Sequence, residues 1–176
     1  MKSHPGGEEQ TRRLIELAAL PAGAAVLDMG AGAGETVELL RSLGFAARGI
    51  DLAPRSPAVE QGDLLRAPFP DGSFVAVISQ CAFFVSGDQS GALREAYRLL
   101  KSGGKLLLSD VFFTPPEPPV RGAGFEILFS EDWTALWKEY YLEALWRGDA
   151  PCCDIPKGRS SYRLLIGRKE KQDGYL

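Results

Sequence analysis

The chain has 176 residues, 45% of them hydrophobic and 24% charged, with a formal net charge of −3. That length suits one domain with a substantial core over residues 1–176, and the ordinary composition gives no electrostatic bias toward nucleic acid or an anionic membrane. No apolar run reaches the length of a membrane span and no signal-peptide pattern opens the chain; Cys81, Cys152 and Cys153 form neither a CxxC pair nor a zinc spacing, so a cytoplasmic location is the default expectation.

In chain order, residues 1–7 form a polar, Gly/Pro-containing tail expected to be mobile. It carries the single histidine, His4, which leaves the rest of the chain without the commonest general base. Residues 8–20 set Leu14, Ile15, Leu17, Ala18 and Leu20 among charges, the pattern of an amphipathic helix that Pro21-Ala22-Gly23 ends. This helix is expected to cover one sheet face or part of a ligand mouth. Residues 24–29 read as a buried strand. Glycines at 30, 32 and 34 follow, and Glu35-Thr36-Val37-Glu38-Leu39-Leu40 opens a helix that Gly44 caps. Strand, glycine turn and helix in that order make a nucleotide cradle, since glycines admit close backbone approach and a helix N-terminus offers free N–H groups. The dinucleotide fingerprint is not met, because its third glycine would fall where Glu35 stands. Asp28 argues the same way: a carboxylate two residues before the first glycine repels a pyrophosphate and attracts a cationic group.

Phe45 to Asp51 is the second strand. Asp51 lies 21 residues beyond Gly30, the place of an acid that points at both ribose hydroxyls; a turn or helix-cap role before Pro54 is the alternative. Only Leu52 to Gln61, broken by Pro54 and Pro57, precedes a short third strand near 59–62, too little for a crossover helix, so a loop and a reduced sheet edge are expected. After the turn cluster at 67–73, Phe74 to Ser79 is an apolar run suited to a central parallel strand. The loop Ser79-Gln80-Cys81-Ala82-Phe83-Phe84 leaves its C-terminal end, which in a doubly wound sheet faces the ligand crevice.

A helix over 88–101, ended by Gly103-Gly104, and a fifth strand over 105–111 follow. Residues 112–124, with Pro115, Pro116, Pro118 and Pro119, read as a stiff extended linker, and 125–129 as a sixth strand. Ser130 is placed to cap the next helix, with Glu131 and Asp132 in its first turn. There Trp133, Leu136, Trp137, Tyr140, Tyr141, Ala144 and Leu145 recur at helical spacing, either as a core-facing stripe or with one or two aromatics walling a substrate pocket. Residues 161–168 form a last strand, and 169–176 a charged, solvated tail.

The segment Asp28-Met29-Gly30-Ala31-Gly32-Ala33-Gly34 resembles motif I, acid-x-G-x-G-x-G, of the class I S-adenosylmethionine-dependent methyltransferases, in particular the type-11 small-molecule group. The resemblance extends over about residues 24–111. It takes in the acid at Asp51, the segment Gly62-Asp63-Leu64-Leu65, which looks like the family's adenine segment, and Arg94 to Leu106, which looks like its helix and LK-x-GG turn. It implies a Rossmann-like α/β fold with a mostly parallel seven-stranded sheet and an antiparallel last strand inserted at the sheet edge. The chain departs from the family in being shortened between strands 2 and 3 and between strands 5 and 6, where no helix is read. The implied cofactor is S-adenosyl-L-methionine, leaving as S-adenosyl-L-homocysteine. The resemblance sets it against Asp28, Met29, Gly30, Ala31, Gly32, Gly34, Asp51, Leu52, Gly62, Asp63, Leu64, Ser79, Gln80 and Cys81. Asp63 either accepts from the adenine amine or serves a surface turn.

The implied activity is transfer of a methyl group to a small-molecule acceptor by in-line displacement, in which positioning could supply roughly 7–11 kcal/mol. A base is needed only for an acceptor protonated at neutral pH. The candidates are Asp110, Tyr140 and Tyr141, although Asp110 could equally satisfy backbone donors at a strand end. Cys81 is either a small apolar residue under the crevice or a metalloid ligand. The second reading comes from a resemblance of Ser79-Gln80-Cys81 to the arsenite methyltransferases, with Cys152 and Cys153 completing a three-sulfur site; no resident metal is expected. A protein that binds the cofactor without catalysis is the alternative of a different class, and a nicotinamide oxidoreductase is disfavoured by Glu35 and Asp28. No basic patch with interleaved aromatics marks a nucleic-acid groove. Neither the acceptor nor the oligomeric state is legible, since a fold does not specify its substrate.

Overall fold

The computed structural model describes residues 3–113, 115–151 and 155–170. Its elements are α1 (Gly7–Ala18), β1 (Ala25–Met29), α2 (Glu35–Ser42), β2 (Ala46–Asp51), β3 (Glu60–Gln61), β4 (Phe74–Gln80), α3 (Ala82–Val85), α4 (Gln89–Leu99), β5 (Leu100–Phe112), α5 (Glu117–Gly122), β6 (Phe125–Asp132), α6 (Thr134–Arg147) and β7 (Ser161–Lys169). The strands form one seven-stranded sheet in the order β3-β2-β1-β4-β5-β7-β6. Pairing from β3 through β5 is parallel, and β7 runs antiparallel to both β5 and β6. The mostly parallel α/β sheet with an antiparallel last strand is therefore present. The last strand, however, is not at the edge: it fills the slot between β5 and β6.

Strand side chains alternate between two cores, as a period of two requires. Leu106 and Leu108 of β5 join Leu27, Val77, Phe83, Leu93 and Leu99 on one face. Leu107 joins Leu14, Val26, Val37 and Ile78 on the other. All are fully buried, each contributing about 1.5–3 kcal/mol relative to exposure. Helix α1 turns Leu14, Ile15 and Ala18 inward and stops at Ala19, which takes the left-handed conformation (φ 45°) and donates its N–H to Glu16 O at 3.1 Å. The helix thus ends before Pro21 is reached. Helix α4 starts at Asp88, whose carboxylate accepts from Gly91 N at 2.8 Å.

Several expectations are corrected. Ser130, Glu131 and Asp132 do not open a helix. They extend β6, pairing with Leu165, Leu164 and Arg163 of β7, and the Asp132 carboxylate accepts from the N–H of Thr134, the first residue of α6, at 2.9 Å. The proline-rich segment is not wholly extended. Pro118 and Pro119 lie in the first turn of α5, where a missing N–H costs nothing, and Val120 is buried under it. A six-residue helix thus stands between β5 and β6 where none was expected. Lys169 is no tail residue: it ends β7 and donates to Tyr97 O and Leu100 O at 2.8 Å each. Residues 171–176 of the expected tail lie outside the described residues. The short edge is as read: β3 has two residues, facing Ile50 and Asp51 of β2, and no helix intervenes over 52–59.

Candidate functional site

The C-terminal ends of β1, β2 and β4 open onto a cleft of about 670 Å³. The glycine turn forms its floor and is tied to the end of β2 by backbone bonds. Gly30 N and Ala31 N both donate to Ile50 O at 2.9 Å, and Arg55 N donates to Gly32 O at 3.0 Å. At Gly30 (φ 88°) an added Cβ would lie 2.2 Å from Ala82 Cβ, so no other residue fits between β1 and α3. Asp51 completes the join. One carboxylate oxygen accepts from Gly32 N and the other from Ala53 N, both at 2.9 Å. Its turn role and its place at the strand end are thus not exclusive. Each oxygen still has a lone pair for a hydroxyl donor.

Asp28 is 4% exposed at the end of β1. Burial, reinforced by the neighbouring Asp51 carboxylate, pushes its carboxyl up to about 7. Asp63 is exposed; one oxygen accepts from Leu65 N at 2.8 Å, which is the surface-turn geometry, and the side chain also lines the cleft. Leu52, Gly62, Leu64, Gln80, Cys81 and Tyr140 line it as well. Met29, Gly34, Ser79, Asp110 and Tyr141 are not on the lining. Met29 is in the core and its carbonyl accepts the Ser79 hydroxyl at 2.7 Å. Gly34 precedes the first residue of α2. The fully buried Asp110 accepts from Phe84 N and Val111 N at 2.9 and 2.8 Å, so it fastens α3 to β5.

His4 is the largest departure from expectation. Rather than hanging in a tail, it is 6% exposed and lines the cleft beside Ser3. Its Nδ1 lies 3.2 Å from Pro5 O; a carbonyl only accepts, so Nδ1 carries the hydrogen. Nε2 then accepts from the Thr11 hydroxyl at 3.3 Å. Thr11 accepts from Gln80 Nε2 at 3.0 Å, and Gln80 Oε1 accepts from the Thr36 hydroxyl at 2.9 Å. One proton per link thus runs from Thr36 to His4, fixing the amide at the end of β4. Burial holds the imidazole pKa below its ordinary value, against opposing contributions from the Pro5 carbonyl, Gln10 and Glu35.

Glu35, Thr36, Arg55, Val85 and Ser86 also line the cleft and were not singled out as site residues. Glu35 could have been, standing directly after the glycine turn. Cys81, buried and with φ 61°, turns the chain from β4 into α3, its sulfur 3.4 Å from the Tyr162 hydroxyl. Cys152 and Cys153 lie outside the described residues. Among the described residues no cluster of three or more His, Cys, Asp or Glu could hold a metal ion. Nor is any described helix long and apolar enough to cross a membrane.

Comparison with known proteins bears on the segment that builds this floor. The family model described as "Methyltransferase domain" matches residues 27–108. An arsenite methyltransferase of Aquipseudomonas alcaligenes is 34% identical over 119 residues, covering 53% of this chain and 34% of that protein. A demethylmenaquinone methyltransferase of Thermus thermophilus is 32% identical over 134 residues, covering 67% of this chain and 60% of that protein. The chain thus spans about a third and 60% of the lengths of these curated relatives. Among solved structures, a phosphoethanolamine N-methyltransferase of Haemonchus contortus in complex with S-adenosyl-L-methionine shares the fold, with a TM-score of 0.75 at 19% identity over 96% of this chain and 54% of the other. The matched segment supplies the glycine turn, the strand-end acid and the central strands on a sheet of this order, so residues 27–108 are a methyltransferase domain with the fold of the class I S-adenosylmethionine-dependent methyltransferases.

Proposed function

We propose that the chain binds S-adenosyl-L-methionine in this cleft and passes its methyl group to a small-molecule acceptor. The observation that carries the reading is the convergence of Asp28, the turn from Gly30 to Ala33 and Asp51 on one concave surface at the strand ends. The residues fit such a group. The buried Asp28 carboxylate would pair with a cationic amino group. Asp51 has lone pairs for two hydroxyls, and the Asp63 oxygen not held by Leu65 N is an acceptor for an amine. When bound, the cofactor supplies a methyl group already activated on a sulfonium.

The chain's own part is placement. Gln80 and Cys81 bound the floor at the end of β4, and Tyr140 of α6 lines the same cleft. Holding reactants in line supplies roughly 7–11 kcal/mol of such a barrier. His4 contributes an uncharged imidazole on the cleft wall, the protonation state that a proton acceptor needs. Asp110 is fully buried and off the cleft lining, so it is not placed to act as a base.

Calorimetry with S-adenosyl-L-methionine and its demethylated product tests binding, and product release across an acceptor panel tests transfer. Failure of well-folded protein to bind either compound rejects the reading. Binding without S-adenosyl-L-homocysteine release from any acceptor supports the non-catalytic alternative. The similarity to an arsenite methyltransferase, together with Cys81 on the cleft, favours a thiol-dependent metalloid reaction as the second reading. It requires that Cys81→Ala abolish an arsenite-dependent product, and absence of that product from the unaltered protein dismisses it.

A further inference from the structure

The charges of the cleft are segregated. Asp28, Glu35, Asp51, Arg55 and Asp63 are the acids and the guanidinium on its lining, and all come from residues 28–63, on the β1-β2-β3 side of the sheet. Among the described residues, the lining beyond residue 63 has no ionised group. On the side of β4, α3 and α6 the wall is made by Cys81, Ala82, Val85, Tyr140, Ala150 and Pro151. The divide falls between β1 and β4, where the strand order reverses. His4, near the divide, stays uncharged at neutral pH because burial disfavours its charged form.

A charged molecule gains nothing on such a wall. An ammonium or phosphate pressed against it loses water and finds no counter-ion, which is costly in a partly enclosed site. An apolar body loses only the water it benefits from shedding.

We infer that the acceptor is an uncharged molecule with an apolar body, seated against Cys81, Val85 and Tyr140; this rests on the methyl-transfer function proposed for the same cleft. The acids on the other side serve the cationic partner, and the uncharged wall selects the acceptor. Val85 sets the selectivity, since it lines the wall while 58% exposed and supports no core packing that a substitution would disturb.

The test uses the full chain saturated with S-adenosyl-L-homocysteine. 2-Naphthol, a neutral aromatic alcohol, and phosphoethanolamine, which carries both charges, are titrated by calorimetry. Binding of 2-naphthol but not phosphoethanolamine is expected. Val85→Asp should weaken 2-naphthol about tenfold or more by placing an unpaired carboxylate on the wall, while Val85→Thr changes it by less than about threefold. S-Adenosyl-L-homocysteine affinity should be nearly the same in all three proteins. Tighter binding of phosphoethanolamine, or 2-naphthol affinity indifferent to Val85→Asp, overturns the inference. Failure of S-adenosyl-L-homocysteine itself to bind overturns the proposed function beneath it, a result visible before either probe is added.

Discussion

The region from β1 to β5 and the region from α5 to β7 are built on different terms. The first buries apolar side chains on both faces of parallel strands and spends its polar atoms on the turn, with Asp51 joining Gly32 N to Ala53 N. The second wraps one antiparallel pair with two helices, and α6 buries only Trp137, Tyr140 and Ala144 while Leu142, Leu145 and Trp146 stay exposed. The difference teaches a division of work: the first region builds the glycine turn and the β4–α3 side of the cleft, and the second adds Tyr140, Ala150 and Pro151, held by a few large contacts.

The most severe expected effect falls in the second region. Trp137 is fully buried and stacks on Tyr162 with ring centroids 6.0 Å apart. Trp137→Ala should cost about 3–5 kcal/mol of stability. Denaturant unfolding measures this, and the affinity for S-adenosyl-L-homocysteine of the remaining folded protein should hardly move; an equal loss of affinity would break the division.

Asp51→Ala in the first region should do the reverse in the main. Cofactor affinity should fall by roughly tenfold to several hundredfold, from hydrogen bonds to a charged group worth about 1.5–3 kcal/mol each. Because the carboxylate also holds Gly32 N and Ala53 N, the ligand-free melting temperature should fall too. Unchanged affinity with a lowered melting temperature would reduce Asp51 to a turn residue.

Asp28 sharpens the comparison through pH. Its carboxyl is held near 7, so pairing with a cation expels a proton at and below that pH. Cofactor affinity should weaken by up to about tenfold per pH unit as pH falls below 7. Folding without ligand has the opposite sign. Between the unperturbed value of 3.8 and about 7 the folded carboxyl keeps a proton that the unfolded chain has lost, so stability declines as pH rises through that window. Asp28→Asn should flatten both profiles, as measured by calorimetry and thermal melts across the window. Smallest of all is Trp146→Ser: at 89% exposure it should shift stability by no more than about 0.5 kcal/mol in either direction.

The same contrast decides what could be read in advance. The first region was legible because its local signals agree: glycines where φ is positive, an apolar run at β4, and an acid at the strand end. In the second region tertiary pairing overrode local signals. Ser130 to Asp132 carry good helix-start chemistry, yet pairing with β7 draws them into a strand. The prolines after β5 signal an extended linker, yet they also suit a first helical turn. His4 was hidden for a different reason. Nothing near it in sequence shows that Thr11 and Gln80 close around it, and a Pro-Gly-Gly stretch reads as a tail. Of the cleft, the half built by the glycine turn was legible from spacing; the α6 and N-terminal walls depend on contacts between distant parts of the chain.

The position of β7 has a consequence for the order in which the molecule can assemble. Strand β6 pairs with β7 and with no earlier strand, and β7 also covers the outer edge of β5. During synthesis, β1 to β5 can collect their partners as they appear, but β6 waits for the last strand of the sheet. Until then two strand edges are unpaired, a state prone to association with other chains. Closure joins residues as far apart as Lys105 and Arg168, so it comes late and its loop entropy is paid before any pairing repays it. The wall carrying Tyr140 hangs from this late step, so the turn proposed to meet the cofactor can be in place before the Tyr140 part of the proposed acceptor surface exists.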